Sequence, residues 1–294
     1  MKTKHQALSQ PLSKDLENHF RQWSSSTPKL RQTILKMIHQ AESGHPGGSL
    51  SLVEILMSLL APNGFMKHGP NLVSTNNRDR LVLSKGHGCP ALYAIYHYAG
   101  YDISEAELMT LRHLGSRLQG HPDRVRIPYL EASTGSLGQG ASIAQGIALG
   151  YKADKNPHQV YCVIGDGEMQ EGQIWEVAMS ASHYKLDNLT LILDYNKGQI
   201  DGPTNEIMNL EPLAERWNSF GWEAIEVDGH SYKELTQALQ FKSSAKPKII
   251  IAHTIKGKGV SFMEGVIDWH GKATNADELT RALKELETQT NIGL

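Results

Sequence analysis

The stretch from Val160 to Gly202 reads VYCVIGDGEMQEGQIWEVAMSASHYKLDNLTLILDYNKGQIDG. Its pattern of apolar and polar residues predicts a strand, an acidic turn, a helix, a second strand and a second polar turn. The first strand ends in Gly165-Asp166-Gly167, and the second ends in Asp194-Tyr195-Asn196. Because the carboxyl ends of neighbouring parallel strands line one crevice, we expect Asp166 and Asn196 to lie together.

These two side chains are candidate metal ligands. Carboxylate and amide oxygens suit Mg²⁺, which takes few protein ligands and completes its octahedron with water and phosphate oxygens. The glycines on either side of Asp166 let the backbone approach a bound group, so a diphosphate is the expected ligand. The turn Gly165-Asp166-Gly167 could equally be an ordinary strand-to-helix connection that binds no ligand. Other parts of the chain are needed to choose between these two interpretations.

The composition excludes several classes of protein. The chain has 294 residues, with 29 basic and 31 acidic side chains, which leaves no electrostatic surface for nucleic acid or an anionic membrane. The two cysteines, Cys89 and Cys162, are far apart in sequence and predict no disulfide. No apolar run approaches the roughly 18 residues of a membrane span, and the first residues are polar without a signal region. We therefore expect a cytoplasmic protein.

The beginning of the chain predicts a boundary near Pro28. Residues 1–27 read as a polar extension with a helix at 15–23 and a break at 24–27, and a periodic helix then starts at Pro28. A strongly apolar helix is expected from Leu50 to Leu60, buried in the core or facing a partner. We interpret residues 28–274 as one domain and 275–294 as a C-terminal helix and tail.

The rest of the chain alternates between strand and helix patterns. Strands are expected near residues 80–84, 222–227 and 248–254, and helices at 90–98, 104–114, 141–152, 210–220 and 231–241. This alternation predicts an α/β fold with a mainly parallel sheet and helices on both faces. The loop Lys256-Gly257-Lys258-Gly259 follows the last strand, and we expect its lysines to be solvated.

Several motifs occur in order along the chain: SGHPGG, SKGHG, GHP, TGSLGQG, GDGEMQEG, DYNKGQIDG and WHG. Together, over about residues 30–271, they resemble the N-terminal, diphosphate-binding half of transketolase. Deoxyxylulose phosphate synthase shares the GDG region but differs around the first histidine, and the 2-oxo acid dehydrogenases lack the HPGG and KGHG pair. The resemblance implies a thiamin diphosphate-binding fold.

The resemblance also implies roles for individual residues. Asp166, Asn196 and the carbonyl oxygen of Gly198 would hold Mg²⁺, or Ca²⁺ or Mn²⁺ in its place. The residues implied in binding thiamin diphosphate are His87, Gly135, Leu137, Gly167, Asn196 and His270. The residues implied in catalysis are His45, His121, His270 and Glu171.

Each of the catalytic roles has a chemical reason and an alternative. Histidine titrates near neutrality, so His45, His121 and His270 could bind sugar oxygens and exchange protons during cleavage of a carbon–carbon bond. Any one of them could instead be a structural histidine. Glu171 would belong to a carboxylate network that reaches a partner subunit, although it could simply be stabilised by a helix dipole.

The same resemblance points to missing parts. Transketolase continues into a pyrimidine-binding domain and a third domain, and we expect no counterpart of either, nor of the arginines that hold the sugar phosphate, in this chain. We therefore expect one subunit of a split transketolase that is completed by a second subunit in an α2β2 assembly. It would move a two-carbon ketol unit from a ketose to an aldose, with sugar phosphates as substrates.

Two other functions stay open on the sequence alone. The chain could belong to another thiamin diphosphate enzyme, such as a synthase or a 2-oxo acid decarboxylase. It could also be a half that binds the cofactor or a partner without catalysis. Pentose phosphates, branched sugar phosphates and sulfonated sugars all remain open as substrates.

Overall fold

The computed structural model describes residues 8, 12–243 and 245–292. Its strands are β1 (Arg80–Leu83), β2 (Val160–Gly165), β3 (Leu189–Tyr195), β4 (Gly198–Gln199), β5 (Gly202–Pro203), β6 (Glu223–Asp228) and β7 (Lys248–His253). Its helices are α1 (Lys14–Gln40), α2 (Pro46–Leu50), α3 (Val53–Leu60), α4 (Cys89–Tyr98), α5 (Glu105–Leu108), α6 (Gln139–Ala153), α7 (Gly172–His183), α8 (Thr204–Ile207), α9 (Leu213–Ser219), α10 (Tyr232–Gln240) and α11 (Ala276–Ile292).

Five of the strands form one sheet in the order β1-β2-β3-β7-β6. Every neighbouring pair in it is parallel. In the register between β2 and β3, Gly165 lies opposite Asp194, so the turns that follow the two strands start side by side. The predicted parallel sheet is confirmed, and Asp166 and Asn196 lie in the turns at the ends of two neighbouring strands.

Helices cover both faces of this sheet, as predicted. On one face, Tyr161 and Val163 pack with α1, α3, α4, α10 and α11. On the other face, Cys162 and Ile164 pack with α6, α7 and α9. All six residues of β2 are buried, which explains why its sequence is continuously apolar and does not alternate.

The expected break before Pro28 is wrong. One helix, α1, runs from Lys14 to Gln40 with Pro28 inside it. The hydroxyl of Thr27 donates to the helix carbonyl of Trp23 at 2.9 Å, so it does not act as a cap for a new helix. Because Trp23 and Leu30 are both buried, packing on either side of the proline holds the helix together. The division of the chain into 1–27, 28–274 and 275–294 stays a prediction.

Two other expectations need correction. The apolar segment 50–60 is buried in the core, as one of its two interpretations predicted, but it is not one helix: it forms the end of α2 and all of α3, separated by a turn, and every residue of α3 is buried. The helix expected at 104–114 is only α5, which Ser104 caps as expected. Arg112 adopts a positive φ of 63°, and its backbone N–H donates to the carbonyl of Leu118 at 2.9 Å, so the chain turns here and the helix cannot continue.

Three further features complete the fold. The strands β4 and β5 form a small antiparallel hairpin after β3, in a segment for which the sequence predicted only a polar turn. Cys89 and Cys162 are both buried and free. None of the helices in the part of the chain that the structure describes is long and apolar enough to cross a membrane.

Candidate active site

A cleft of about 310 Å³ opens at the carboxyl end of the sheet, and it collects every residue that the resemblance implicated. These residues are His45, His87, His121, Gly135, Leu137, Asp166, Gly167, Glu171, Asn196, Gly198 and His270. They come from widely separated stretches of the chain, and the parallel sheet brings them to one edge. Their roles in binding and catalysis stay predictions, since position alone does not assign them.

The two predicted metal ligands stand on adjacent strand tips. Asp166 follows β2, and one of its oxygens, Oδ1, accepts from the N–H of Gly167 at 2.9 Å. The other, Oδ2, accepts from the N–H of Lys197 at 2.5 Å, and Lys197 directly follows Asn196. The Asn196 Oδ1 atom in turn accepts from the N–H of Gly198 at 3.2 Å. The side-chain oxygens of Asp166 and Asn196 are therefore both held beside the backbone of Lys197 and Gly198, where a metal ion could bind.

A buried carboxylate beneath the cleft orients Asn196. The Asp194 Oδ2 atom accepts from Asn196 Nδ2 at 3.2 Å, which leaves the amide oxygen of Asn196 on the other side. The same carboxylate accepts from the Lys85 ammonium at 2.5 Å, from the Ser51 hydroxyl at 2.7 Å and from the Thr254 hydroxyl. Burial acts to raise the pKa of Asp194, but Lys85 and the hydroxyl donors hold it below its ordinary value. Asp194 therefore stays ionised.

Two lysines that were not assigned to the site from the sequence line the cleft. Lys85 follows β1, Lys256 follows β7, and both are 2% exposed. The expectation that Lys256 is solvated is wrong. Its Nζ donates to the carbonyl of Gly198 at 3.3 Å. A Cβ added to Gly47 would lie 2.8 Å from Cγ of Lys256, so the glycine leaves room for this side chain. Both lysines follow a strand at the edge that carries Asp166, and this position is the signal that could have identified them.

The lysines and carboxylates change one another's ionisation. Burial, and then the nearby Asp194 carboxylate, raise the pKa of Asp166 to about 6. Burial, and then the Lys85 cation, lower the pKa of Lys256 to about 8, against the opposing effect of Asp166 and Asp194. Lys256 is therefore still mainly a cation at neutral pH and can meet an anion, while the charge of Lys85 is matched by Asp194.

Three of the predicted histidines form a ring cluster. The ring centroids of His45 and His87 are 5.1 Å apart, those of His87 and His270 are 5.4 Å apart, and those of His45 and His270 are 5.6 Å apart. His121 lies at the side of the cleft next to Gly135, where a Cβ added to that glycine would lie 3.0 Å from the imidazole Cδ2. The four histidines thus divide into a group of three and one separate residue.

The pKa values of all four histidines are lowered below the ordinary value for histidine. Burial and the nearby cations lower the pKa of His45 to about 4 and that of His270 to about 3. Burial and Lys85 lower the pKa of His87 well below its ordinary value, and burial and Arg112 lower that of His121. At neutral pH each is a neutral imidazole that can donate one hydrogen bond and accept another.

The glycine-rich loop before α6 closes one side of the cleft. Gly138 has a φ of 83°, and its N–H donates to Glu168 Oε1 at 2.9 Å. The other carboxylate oxygen of Glu168 accepts from the N–H of Gly165 at 3.0 Å, so one buried side chain joins this loop to the end of β2. Gly135 and Leu137 are held beside the cleft by this connection.

Glu171 is exposed, as is His121 among the other candidates. It precedes α7 and makes no side-chain cap hydrogen bond. It lines the outer part of the cleft. An exposed carboxylate at this position is free to meet another molecule, but its expected network with a partner subunit stays a prediction.

The residues fit the metal and the diphosphate that the sequence predicts. No group of three or more His, Cys, Asp and Glu side chains suited to a metal exists within residues 8, 12–243 and 245–292. A bound ion would therefore rely on one carboxylate, one amide and one carbonyl oxygen, a set that suits Mg²⁺ with phosphate oxygens and water. The ring atom Nδ1 of His270 is buried without a hydrogen-bond partner, and Gly48 leaves open the space beside Lys85 and His87.

Comparison with known proteins agrees with the fold. The family described as "Transketolase, thiamine diphosphate binding domain" matches residues 18–291. A Phocaeicola vulgatus protein, named as one subunit of apulose-4-phosphate transketolase, is 39% identical over 260 residues, covering 88% of this chain and 91% of that protein. A Clostridium protein, named as the SqwG subunit of 6-deoxy-6-sulfo-D-fructose transketolase, is 45% identical over 262 residues, covering 88% of this chain and 94% of that protein.

Longer relatives match over part of their length only. Human transketolase is 40% identical over 264 residues, which are 89% of this chain but 41% of the human protein. The crystal structure of Campylobacter jejuni transketolase superposes with a TM-score of 0.84 at 34% identity, covering 92% of this chain and 45% of that one. The predicted resemblance and fold class are confirmed. The chain belongs to the transketolase family of transferases, and its match is to the thiamine diphosphate-binding domain of that family.

Proposed function

We propose that this chain is the diphosphate-binding subunit of a split, Mg²⁺-dependent transketolase. The observation that carries the proposal is the cleft itself, in which Asp166 and Asn196 share one edge with two buried lysines and a histidine cluster. Two relatives that match over most of their own length are named as subunits of transketolases. A second subunit, carrying the pyrimidine-binding domain, would complete the site in an α2β2 assembly.

In this proposal the chain's residues divide the work of binding. Asp166, Asn196 and the carbonyl oxygen of Gly198 hold Mg²⁺ through oxygen atoms. Lys256 supplies positive charge toward the diphosphate, and Lys85, whose charge Asp194 matches, donates a hydrogen bond to it. Gly167 keeps a side chain out of the approach, since a Cβ there would come within 2.9 Å of Gln199.

The histidines act on the reacting sugar. Thiamin diphosphate, when bound, supplies the nucleophilic carbon of its thiazolium ring. His45, His121 and His270 then hold the hydroxyl oxygens of the donor, and neutral imidazoles can take a proton from one oxygen and give one back. His87, which lies beside Lys85 and is partly exposed, hydrogen-bonds to the diphosphate. The net reaction transfers a two-carbon ketol unit from a ketose to an aldose, with sugar phosphates or sulfonated sugars as substrates.

The experiment is a donor assay with the assembled enzyme. This chain is mixed with the subunit that carries the pyrimidine-binding domain, thiamin diphosphate and Mg²⁺. It is then offered ketose phosphates or sulfonated ketoses with an aldose acceptor, and separately pyruvate. We expect turnover of a ketose and none of pyruvate. Turnover of pyruvate alone would assign a 2-oxo acid reaction, and cofactor binding without any turnover would assign a non-catalytic half.

Assembly is tested on the same sample. Sedimentation equilibrium of the mixture should give the mass of two copies of each subunit, and thiamin diphosphate should raise that assembly's melting temperature only when Mg²⁺ is present. A complex of one copy of each, or a cofactor effect that survives chelation of the metal, would contradict the proposal. The cytoplasmic location expected from the sequence stays a prediction.

A further inference from the structure

A chain of polar side chains lies under the loop of residues 254–271, in which Arg31 and Glu54 are buried and the side chain of His230 is 12% exposed. Arg31 of α1 donates through Nη2 to both carboxylate oxygens of Glu54 on α3, at 2.9 and 2.8 Å. His230, in the turn after β6, contacts the same carboxylate through Nδ1 at 3.0 Å. The other ring nitrogen, Nε2, lies 2.9 Å from the backbone nitrogen of Ile255. Two helices are thereby connected to the residue that precedes Lys256.

These contacts define the tautomer of His230. A backbone N–H can only donate, so Nε2 of His230 accepts from Ile255 and carries no proton. The ring proton is therefore on Nδ1, where it donates to the carboxylate of Glu54. Burial acts to raise the pKa of Glu54, but Arg31 and His230 hold it below its ordinary value, so the carboxylate is ionised and accepts. The ring of His230 therefore donates one hydrogen bond through Nδ1 and accepts one through Nε2.

The same network meets the loop at a second point. Gly259 has a φ of 93°, and a Cβ added to it would lie 2.9 Å from Cδ of Arg31. Between the two points, the N–H of Gly257 donates to the carbonyl of Gly47 at 3.0 Å. The backbone on either side of Lys256 is therefore fixed, and from this position its Nζ reaches the carbonyl of Gly198. A shift at Ile255 would move Lys256 with it.

We propose that His230 is a positioning residue for the cleft: by accepting the hydrogen bond of Ile255, it sets the backbone from which Lys256 extends. It does not touch the cofactor site and acts only through the loop. The inference rests on the proposed function where it gives Lys256 a role in binding diphosphate. The placement of the loop is independent of that function and can be measured without it.

Two substitutions separate the two contacts of the ring. Glutamine in His230→Gln can place its amide oxygen near the position of Nε2 and still accept from Ile255. Asparagine in His230→Asn can place its amide nitrogen near the position of Nδ1 and still donate to Glu54, but it leaves the N–H of Ile255 without its acceptor. We expect only His230→Asn to release the loop.

The readout is the reactivity of Lys256 toward acetic anhydride in the cofactor-free full chain, followed by mass spectrometry. Loss of one hydrogen bond should raise its labelling by about tenfold in His230→Asn and leave His230→Gln close to the unaltered protein. Lys85 is the internal control, because it is equally buried but lies outside the loop. Equal labelling of Lys256 in both variants, or a parallel rise at Lys85, would overturn the proposal.

Two further measurements complete the test. The ring ¹⁵N shifts of His230 in the unaltered chain should show the proton on Nδ1, and a proton on Nε2 would contradict the inference. In the assembled complex, the dissociation constant of thiamin diphosphate should rise about tenfold in His230→Asn but not in His230→Gln. If the unaltered complex binds no cofactor, the proposed function is wrong, while the labelling of Lys256 still decides the role of His230.

Discussion

The ammonium of Lys85 and the carboxylate of Asp194 form an ion pair of 2.5 Å beneath the cleft, with side chains that are 2% and 0% exposed. The carboxylate also accepts from Ser51, Thr254 and Asn196. A single buried group thus joins the segments that follow β1, β3 and β7. Because both carboxylate oxygens have donors, the pair can be tolerated away from water, and it orients Asn196 as well.

Removal of the negative partner should be costly. Asp194→Ala leaves the Lys85 cation buried without its counter-charge, and we expect a loss of about 3 to 5 kcal/mol in the free energy of unfolding. Urea denaturation of the cofactor-free chain at neutral pH measures it. The control is the double variant Lys85→Met with Asp194→Leu, which should recover most of the loss. A loss in Asp194→Ala below about 1 kcal/mol, the size typical of an exposed pair, would contradict the interpretation.

Asp166→Asn should separate stability from cofactor binding. The pKa of Asp166 in the folded chain, about 6, lies above that of an unfolded aspartate. Between about pH 4 and 6 the folded state therefore keeps a proton on Asp166 that the unfolded state has released. The stabilisation that this group provides is fully present below about pH 4 and is lost as the pH rises through about 6. At pH 7 the charged carboxylate costs about 2 to 3 kcal/mol in the cofactor-free chain.

The variant has no such charge, but its amide offers one acceptor oxygen to the two backbone N–H groups that donate to Asp166. We therefore expect its stability relative to the unaltered chain to rise by about 2 to 3 kcal/mol between pH 4 and pH 7, and we expect it no longer to bind thiamin diphosphate with Mg²⁺ in the complex. Urea denaturation across this pH range and calorimetric titration with the cofactor measure the two effects. Unchanged cofactor affinity would remove Asp166 from the metal site. A stability difference that is independent of pH would contradict the raised pKa.

His121 and His87 should have different effects on turnover and on affinity. His121 lies beside Gly135, apart from the three clustered rings, so His121→Ala should lower turnover by about a hundredfold and leave the dissociation constant of thiamin diphosphate nearly unchanged. His87→Ala is the matched control, because His87 lies beside Lys85 and should affect cofactor affinity first. Steady-state kinetics and cofactor titration separate the two parameters. The reverse pattern would exchange their roles.

Two glycine substitutions should act in opposite directions. Gly135 has a φ of 147° and a Cβ on it would press on the ring of His121, so Gly135→Ala should destabilise the chain by about 1 to 3 kcal/mol. Gly146 is inside α6 with open space around it, so Gly146→Ala should stabilise the chain by about 0.5 to 1 kcal/mol. Thermal unfolding measures both. A neutral Gly135→Ala would show that the loop before α6 accommodates a side chain.

Most of the residues that line the cleft could be predicted from the sequence because the signals are local. A strand that ends in a glycine-flanked aspartate, and another that ends in an asparagine, can be recognised from a few adjacent residues. Parallel pairing then places such ends together whatever the loops between them do. Alternation of apolar patterns was likewise enough to predict the sheet and its two covered faces. The histidines next to glycines were found through the resemblance of their motifs.

Only the tertiary structure decided which polar groups are buried and what they contact. Lys256 is inside because Gly47, more than two hundred residues earlier, leaves room for its side chain, and α1 continues through Pro28 because Trp23 and Leu30 are both packed. The cost of removing a charge from water depends on what surrounds it in space, and neighbours in sequence do not determine that. For the same reason the ion pair of Lys85 with Asp194, and the contact of His230 with Ile255, could be found only in the folded chain.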